Sequence, residues 1–376
     1  MEVVIYKMHS FLQTIKKYDV TMVVLAFVAS FLGGLFIYSA TKSFDSNMKF
    51  VIVQAAAFIL GIVAMYIITK VDYEDISYIW PLVAGISIFL LLLVLLVGTG
   101  SESNGAQSWF RFWGVGVQPA EITKVFFIIT LSTHLAKIGN DINYIKNVLM
   151  LILHLCVPLV LIMLQPDAGT AFVYVFIFLV MLFIAGIDKR YIIIAAGFLS
   201  LFSVFAWFFL LSQYQKNRFF AFLNPESAPR TYGYHVMQSK IAIGSGKLLG
   251  KGLFKGIQTQ LDFLPEKQTD FIYAVIGEET GLIGCIVILA ILMALIIRCI
   301  IIAKRAKNRL GTNMCFGVAA MWLFHTFENI GMTIGITPVT GIPLPFVSYG
   351  GSSLLTNLMA LGLVLNVKMR EKTLNF

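Results

Sequence analysis

Long apolar runs separated by short polar stretches dominate this chain of 376 residues. A bilayer core about 30 Å thick requires roughly 20 apolar residues per helix. Ten stretches meet or approach that length, at about 20–40, 50–70, 79–98, 121–137, 147–164, 169–187, 191–212, 271–303, 312–336 and 346–367. The pattern predicts an all-α polytopic membrane protein with ten transmembrane helices, built as one domain over residues 1–376.

Composition and charge agree with this prediction. Charged residues make up 12% of the chain, against about 25% in soluble proteins. If the N-terminus is cytoplasmic, most Lys and Arg residues fall in cytoplasmic loops, and the short outer loops carry only Lys42, Lys49 and Arg111. This asymmetry predicts that both termini are cytoplasmic. The formal net charge of +9 then indicates contact with anionic membrane lipids rather than with nucleic acid.

The same topology places one long basic loop, residues 213–270, outside the membrane. Its glycine-rich stretch "GSGKLLGKGLFKG" lacks the first glycine and the Ser/Thr of a Walker A motif. Two interpretations of Lys247, Lys251 and Lys255 stay open. They belong either to a solvated loop that touches anionic lipid, or to a cationic cradle for a phosphate or pyrophosphate headgroup.

Carboxylates stand where apolar helices begin. In "TDFIYAVIGEETG", Asp270 precedes an apolar span, and Glu278 and Glu279 lie two turns deeper. A charge near the bilayer centre costs about 2.5–3.5 kcal/mol, so we expect this cluster to face the bundle interior or a water-filled cavity and to be functional. Asp167 in "LQPDAGTA" begins another outer helix, where the helix dipole alone explains an acidic residue.

An outer loop with aromatic residues precedes the fourth span, "NGAQSWFRFWGVGVQPAEITK". Trp109 and Trp113 suit the headgroup region of a membrane. Arg111, Glu121 and Lys124 suit a polar pocket, although Glu121 and Lys124 are spaced i, i+3 and could simply neutralise each other.

A stretch rich in proline and glycine, "FENIGMTIGITPVTGIPLPFVSYGGSS", connects the last two spans. Such a broken connection is tolerated only in water, inside protein or beside a cavity. Its hydroxyls, among them Ser348 and Ser352, lie where the last helix is predicted to begin, which argues against a plain surface turn. His325 and Glu328 are predicted to pair inside the bundle.

Together these four stretches resemble the SEDS family of RodA, FtsW and SpoVE, and most closely RodA. The motifs are "GAQSWF…QPAEITK", "QPDAGTA", "TDFIYAVIGEETG" and "ITPVTGIPLPFVSYGGSS", and the resemblance covers residues 20 to 370. One departure is visible, because Ser108 precedes Trp109 where the family commonly has arginine. Arg111 could replace that charge.

The resemblance implies a function in the bacterial plasma membrane. SEDS proteins polymerise lipid II into β-1,4-linked glycan strands and release undecaprenyl pyrophosphate, and the RodA branch serves cell wall elongation and cell shape. The implied partner is a class B penicillin-binding protein, a transpeptidase. The family's essential carboxylate falls on Asp270, which would act as a general base or hold a divalent cation, Mg²⁺ or Mn²⁺.

We therefore predict Asp270 as the catalytic residue, at an extracytoplasmic active site. The residues predicted to bind substrate are Trp109, Arg111, Glu121, Lys124, Asp167, Lys267, Ser348 and Ser352. Three alternatives stay open: a lipid II flippase, an ion-coupled secondary transporter, and a scaffold for the transpeptidase. A transporter often has paired broken helices in corresponding halves, and the sequence shows one strong break, near 338–351.

Overall fold

The computed structural model describes residues 18–44, 46–99, 108–112, 115–191 and 232–371, with scattered residues between 193 and 222. The helices are α1 (Val20–Thr41), α2 (Asn47–Lys70), α3 (Tyr73–Tyr78), α4 (Trp80–Val97), α5 (Pro119–Ile138), α6 (Ile145–Met163), α7 (Ala168–Ala185), α8 (Tyr232–Gly246), α9 (Ile257–Gln260), α10 (Ile272–Arg305), α11 (Arg309–Ile334) and α12 (Gly351–Met369). Two short strands, β1 (Phe110–Phe112) and β2 (Val115–Val117), pair in antiparallel fashion.

The predicted all-α polytopic membrane fold is confirmed. Among the described residues, eight helices are long and apolar enough to cross a membrane, namely α1, α2, α4, α5, α6, α7, α10 and α12. Helix α11 matches the predicted ninth span but is less apolar. Most of the predicted seventh span, 191–212, lies outside the described residues, as does most of 213–231, so the count of ten remains a prediction.

Burial separates central helices from peripheral ones. In the most apolar window of each helix, 78% of the residues of α12 and 61% of those of α5 are buried, against 17% for α2 and 22% for α4. Small residues let the central helices approach closely, since a Cβ atom added to Gly317 of α11 would lie 2.7 Å from the side chain of Ile128. Helix α11 tolerates polar residues because it is surrounded by protein.

The connections between helices gather at two ends of the bundle. At one end, which we call the basic end, ion pairs join the connections: Asp72 with Arg370 at 2.7 Å, Asp19 with Arg298 at 2.5 Å and Glu74 with Lys307 at 3.2 Å. At the other, the loop end, lie the connections that follow α1, α4, α6 and α11. This arrangement matches the charge asymmetry of the sequence.

Residues 232–271, called the hairpin below, fold back into the bundle from the loop end. Helix α8 starts beside the end of α11, where Ser239 Oγ donates to the carbonyl of Thr333 at 2.7 Å. It then descends along α10 until the carbonyl of Lys247 accepts from the Leu282 amide at 2.9 Å. Leu282 is ten residues into α10, so the turn of the hairpin lies about 15 Å below the start of that helix.

Helix α10 is interrupted where it meets this turn. Gly281 has φ 67° and ψ −162°, a conformation that is essentially restricted to glycine. At the interruption, backbone amides and carbonyls of α10 lack partners within the helix, and the hairpin supplies hydrogen bonds to them. The Leu282 amide donates to the carbonyl of Lys247, and the Lys251 amide donates to the carbonyl of Glu278 at 3.0 Å. Irregular backbone at this depth is stable because protein surrounds it and satisfies its polar groups.

We expect Gly281→Ala to detach the hairpin from α10. The added Cβ would lie 2.5 Å from the Gly250 amide nitrogen and from the Leu248 carbonyl oxygen, in a backbone conformation that alanine avoids. Limited proteolysis in detergent should then cut near residues 247–256 much faster than in the wild type. Gly244→Ala is the matched control, because a Cβ there meets nothing within 4 Å. Equal cleavage rates for Gly281→Ala and the wild type would contradict this account of the interruption.

Candidate functional site at the loop end

Residues 335–350, called the central segment below, fold into the bundle between α11 and α12. Leu344, Phe346 and Val347 are buried. A Cβ atom added to Gly33 would lie 2.6 Å from the carbonyl oxygen of Val347, and Gly33 is eight residues, or about 12 Å, from the end of α1. The segment is therefore an internal element rather than a surface turn, as its composition indicates.

Asp270 lies where the hairpin returns to α10, against the central segment. Asn329 of α11 donates from Nδ2 to the carbonyl of Asp270 at 2.9 Å and to that of Ile342 at 2.8 Å. A Cβ added to Gly341 would lie 3.4 Å from Asp270 Oδ2, so the Asp270 carboxylate faces the Gly341 backbone. Asp270 is only partly buried, which leaves a side of the residue open at the loop end.

Ser348 ties the same two elements together. Its hydroxyl donates to the carbonyl of Thr269 at 2.7 Å and accepts from the Leu344 amide at 2.8 Å. The next residue, Tyr349, donates its amide to the carbonyl of Gln268 at 2.9 Å. Ser348 thus lies beside Asp270, and its hydroxyl both donates and accepts a hydrogen bond that holds the backbone on either side. The substrate contact predicted for Ser348 stays a prediction.

A second group of polar residues faces the central segment from α7 and from the loop before α5. Gln118 Nε2 donates to Asp167 Oδ2 at 2.7 Å, and the Gln118 amide donates to Ser352 Oγ at 2.9 Å. A Cβ added to Gly169 would lie 2.8 Å from the carbonyl oxygen of Thr340. The structure therefore brings the predicted residues Asp167 and Ser352 to the same segment that contacts Asp270.

A buried ion pair within α5 contacts α11 through its lysine. Lys124 Nζ donates to Glu121 Oε1 at 2.6 Å and lies 2.9 Å from His325 Nε2. The ion pair agrees with the alternative in which Glu121 and Lys124 neutralise each other. Lys124 is only 1% exposed and Glu121 is also buried, so substrate does not reach either side chain in this structure.

The predicted pairing of His325 with Glu328 is wrong. Glu328 Oε1 instead accepts from Thr340 Oγ1 at 2.9 Å, whereas His325 contacts Lys124. The two residues are spaced i, i+3 on α11, but different neighbours face them: the ammonium group of α5 at His325 and the central segment at Glu328.

Glu278 and Glu279 fasten the hairpin instead of lining a reactive cavity. Glu278 accepts from Lys251 Nζ at 3.0 Å and from the amides of Gln258 and Thr259, both at 2.9 Å, at the start of α9. Glu279 accepts from Ser39 Oγ of α1 at 2.5 Å. Their expected functional role is thus replaced by a structural one, because the hairpin supplies polar partners inside the membrane that spacing alone does not reveal.

The glycine-rich stretch forms the turn of the hairpin. A Cβ on Gly246 would lie 1.9 Å from the Gly277 carbonyl oxygen, and one on Gly250 would lie 2.1 Å from that of Glu279. Close packing against α10 therefore explains both glycines without a phosphate ligand. Of the three lysines considered for a cradle, Lys251 is engaged by Glu278.

Lys267 anchors the hairpin to the connection after α1. Its ammonium donates to Ser43 Oγ at 2.9 Å and to the Thr259 carbonyl at 2.6 Å, and pairs with Asp262. These partners use all three donors of a lysine, and the side chain is 2% exposed. The structure therefore corrects the expected substrate contact at Lys267 to an anchoring role.

The contacts of Lys267 and Ser43 with Asp262 lower the pKa of the Asp262 carboxyl. Burial alone would raise that pKa, but hydrogen bonds from Lys267 and Ser43, together with the lysine charge, hold it below its usual value. A carboxyl with a depressed pKa stabilises the fold above its unfolded-state pKa of about 3.9, and this contribution is lost as the pH falls through the folded-state value. Asp262 therefore supports the attachment of the hairpin at neutral pH.

Trp109 and Arg111 lie in the loop before α5. The Thr99 amide donates to the Trp109 carbonyl at 2.8 Å, and a Cβ on Gly116 would lie 2.9 Å from the Trp109 ring. Arg111 is exposed on β1. Trp113 lies outside the described residues, and the substrate contacts predicted for Trp109 and Arg111 stay predictions.

Within the part of the chain that the structure describes, no group of three or more His, Cys, Asp or Glu side chains could hold a metal ion. Mg²⁺ is often bound through only one or two carboxylates together with substrate phosphates and water. The predicted divalent cation would therefore depend on Asp270 and on oxygens of the substrate.

Four residues that the sequence did not single out shape the site: Gln118, Asn329, Thr340 and Gly341. Asn329 carried a usable signal, because a buried amide inside a helix must find hydrogen-bond partners. Gly341 lies in a stretch already noted for proline and glycine. The partners of Gln118 and Thr340 depend on contacts between distant parts of the chain, which spacing does not show.

Fold and site together define a polytopic membrane protein with a carboxylate held at one end of a helical bundle, against a segment that enters the bundle. The FtsW/RodA/SpoVE family model, described as "Cell cycle protein", matches residues 19–373. The chain belongs to this family, as its motifs predict.

Relatives match along nearly their whole length. The chain is 38% identical over 362 residues to the peptidoglycan glycosyltransferase MrdB of Escherichia coli K12, covering 95% of each protein. It is 36% identical over 369 residues to the probable peptidoglycan glycosyltransferase FtsW of Geobacter metallireducens, covering 96% of this chain and 97% of that one. It also resembles a chain in a solved structure described as "Structural coordination of polymerization and crosslinking by a peptidoglycan synthase complex", with a TM-score of 0.80, 28% identity and coverage of 93% and 97%.

Proposed function

We propose that this protein polymerises lipid II into glycan strands and that Asp270 is its catalytic carboxylate. The chain is a peptidoglycan glycosyltransferase of the FtsW/RodA/SpoVE family. The observation that carries the role of Asp270 is its placement: its backbone is bonded by Asn329, its carboxylate faces the Gly341 backbone, and the residue stays partly exposed. A carboxylate that is both fixed and accessible is what a positioned general base requires.

The reaction follows from the chemistry of lipid II. The 4-hydroxyl of the acceptor sugar attacks the anomeric carbon of the donor, and Asp270 accepts the hydroxyl proton as the new bond forms. Displacement at an α-linked donor inverts that carbon and yields the β-1,4 linkage. The bond to undecaprenyl pyrophosphate breaks with its electron pair on the pyrophosphate, whose polyprenyl tail stays in the lipid. In the alternative role, Asp270 would hold a divalent cation, which would supply positive charge for that leaving group.

We place the loop end outside the cell and both termini in the cytoplasm. Described Lys and Arg residues concentrate at the basic end, as the positive-inside tendency requires of the cytoplasmic side. This orientation puts Asp270 at the outer surface of the plasma membrane. There it would meet the disaccharide headgroup of lipid II while the lipid tail remains in the bilayer.

We further propose a class B penicillin-binding protein as partner and elongation as the cellular role. The likeness to a chain of a peptidoglycan synthase complex supports a partner that crosslinks the strands. The motifs "GIPLP" and "QPDAGT" support the elongation branch. Rounded cells after depletion of the protein would agree with that role, and long undivided filaments would assign it to division.

A detergent assay separates polymerisation from lipid transport. Purified wild type, alone and with its transpeptidase, is incubated with lipid II, and the products are resolved by gel electrophoresis. We expect glycan strands in detergent, where no sealed bilayer exists, and loss of product with EDTA if the cation is required. A protein that produces no strands with its partner present, yet moves lipid II across proteoliposomes, would favour the flippase alternative.

The structure bears on the transporter alternative as well. It adds a second interruption, at Gly281 of α10, to the break in the central segment. Both lie in the C-terminal part of the chain, whereas paired transporter breaks occupy corresponding positions in the two halves. The central segment packs against Asp270, and Gly281 packs against the turn of the hairpin, an arrangement that supports the enzyme.

A further inference from the structure

Glu328 of α11 is a buried carboxylate to which the proposed reaction gives no role. It is 6% exposed. Its Oε1 accepts from Thr340 Oγ1 at 2.9 Å, and its backbone carbonyl lies 3.3 Å from Thr337 Oγ1. A buried carboxylate is expensive unless it is hydrogen-bonded, so Glu328 depends on its contacts with the central segment.

Thr340 occupies a junction between the two polar groups of the site. On one side its carbonyl packs against Gly169, two residues after Asp167. On the other side it is followed by Gly341, whose backbone faces the Asp270 carboxylate. The position of Thr340 therefore determines how the polar group around Asp270 and the polar group around Asp167 are placed relative to each other.

Gly341 itself offers no rigidity. Its φ of +78° lies in the left-handed region, and glycine has the greatest backbone freedom of any residue. The residues on both sides of it are held by consecutive residues of α11. Glu328 holds Thr340 through its hydroxyl, and Asn329 holds Ile342 through its carbonyl at 2.8 Å.

We propose that Glu328 is a positioning residue for the transfer reaction. Through Thr340 it fixes the Gly341 backbone against the Asp270 carboxylate, and so aligns that carboxylate with the acceptor hydroxyl. This inference rests on the proposed function of Asp270. A carboxyl group suits the task because its oxygens can accept the hydrogen bond of a threonine hydroxyl.

Four single variants test the inference in the lipid II assay, with the transpeptidase partner present. Glu328→Leu and Thr340→Val each remove the hydrogen bond while keeping side-chain size. We expect either to lower kcat by about 10- to 100-fold with little change in KM, because a small misplacement of a reacting group has an effect of that order. Glu328→Gln retains an acceptor and Thr340→Ser retains the hydroxyl, so both should restore most of the rate.

The double variant Glu328→Leu/Thr340→Val supplies the decisive comparison. If the two side chains act only through their mutual bond, the double variant is no slower than the slower single variant. Multiplicative losses, a change confined to KM, or a Glu328→Gln variant as slow as Glu328→Leu would each overturn the inference. Thr340→Val replaces a half-buried side chain without removing a buried charge, so it remains informative if Glu328→Leu does not fold.

The outcome is separable from that of the proposed function. A wild type that makes no strands, or an Asp270→Asn variant that makes them normally, refutes the role of Asp270. Wild-type rates for Glu328→Leu and Thr340→Val, measured beside an inactive Asp270→Asn variant, refute the role of Glu328 alone.

Discussion

Asp270→Asn is expected to lower the rate of glycan polymerisation by about 10²- to 10⁴-fold, the range that a general base contributes. Asparagine keeps the size and the polarity of the side chain, but it cannot accept the acceptor hydroxyl's proton. The backbone bond from Asn329 to the Asp270 carbonyl is unaffected by the substitution. The expected defect is therefore one of rate, and the thermal unfolding temperature should match that of the wild type.

Asp262→Asn is the matched control for this experiment. It removes a carboxylate from the same hairpin, where Asp262 pairs with Lys267 and Ser43 instead of facing the central segment. We expect polymerisation close to the wild-type rate, together with a lower thermal unfolding temperature because Lys267 loses its charged partner. Equal losses in the two variants would show that any missing charge in the hairpin suffices, and would refute a specific role for Asp270.

Lys124→Met is expected to destabilise the protein by about 3–5 kcal/mol, the usual effect of removing one partner of a buried ion pair. The methionine fills much of the volume of the lysine, but Glu121 then keeps a buried carboxylate without its cation, and His325 loses its contact on α5. Thermal unfolding in detergent can be monitored by the loss of the monodisperse peak in size-exclusion chromatography. The midpoint temperature of Lys124→Met should be much lower than that of the wild type.

A second substitution checks the electrostatic reason. Adding Glu121→Gln to Lys124→Met removes the orphaned charge, so the double variant should be more stable than Lys124→Met alone. A double variant that is less stable than either single variant would mean that packing between α5 and α11, and not charge, accounts for the loss.

The bundle was predictable because membrane spans are long and repetitive. About 20 apolar residues identify a span regardless of its neighbours, and the described helices begin and end close to the predicted positions. Helix α11 shows the limit of that rule, since its polar residues His325, Glu328 and Asn329 are tolerated only because other helices surround it. The prediction that α11 spans the membrane therefore rested on its length and its position in the sequence.

The hairpin was not predictable in the same way. Its turn meets α10 at Gly281, and the sequence around that glycine reads as an uninterrupted span. Glu278, Glu279 and Lys267 looked functional because charged residues in a membrane protein need an explanation, and their partners in the hairpin and α1 are distant in sequence. Once the partners are visible, the three side chains are explained by attachment of the hairpin.

The site was predictable in part. The family motifs singled out Asp270, Asp167, Ser348 and Ser352, and the structure places all four around the central segment. The groups that hold them, above all Asn329 and the Glu328–Thr340 pair, act through tertiary contacts. Sequence spacing could indicate that Glu328 needs a partner, but it pointed to His325, one turn away on the same helix.

The central claim is that a fixed, accessible carboxylate at the loop end performs the proton transfer of glycan synthesis. Binding and turnover of lipid II, measured on the same samples of wild type and Asp270→Asn, test it most directly. The account predicts that the variant captures a photoreactive lipid II as well as the wild type does and yet forms glycan strands about 10²- to 10⁴-fold more slowly. Strands formed at the wild-type rate by the variant would contradict it.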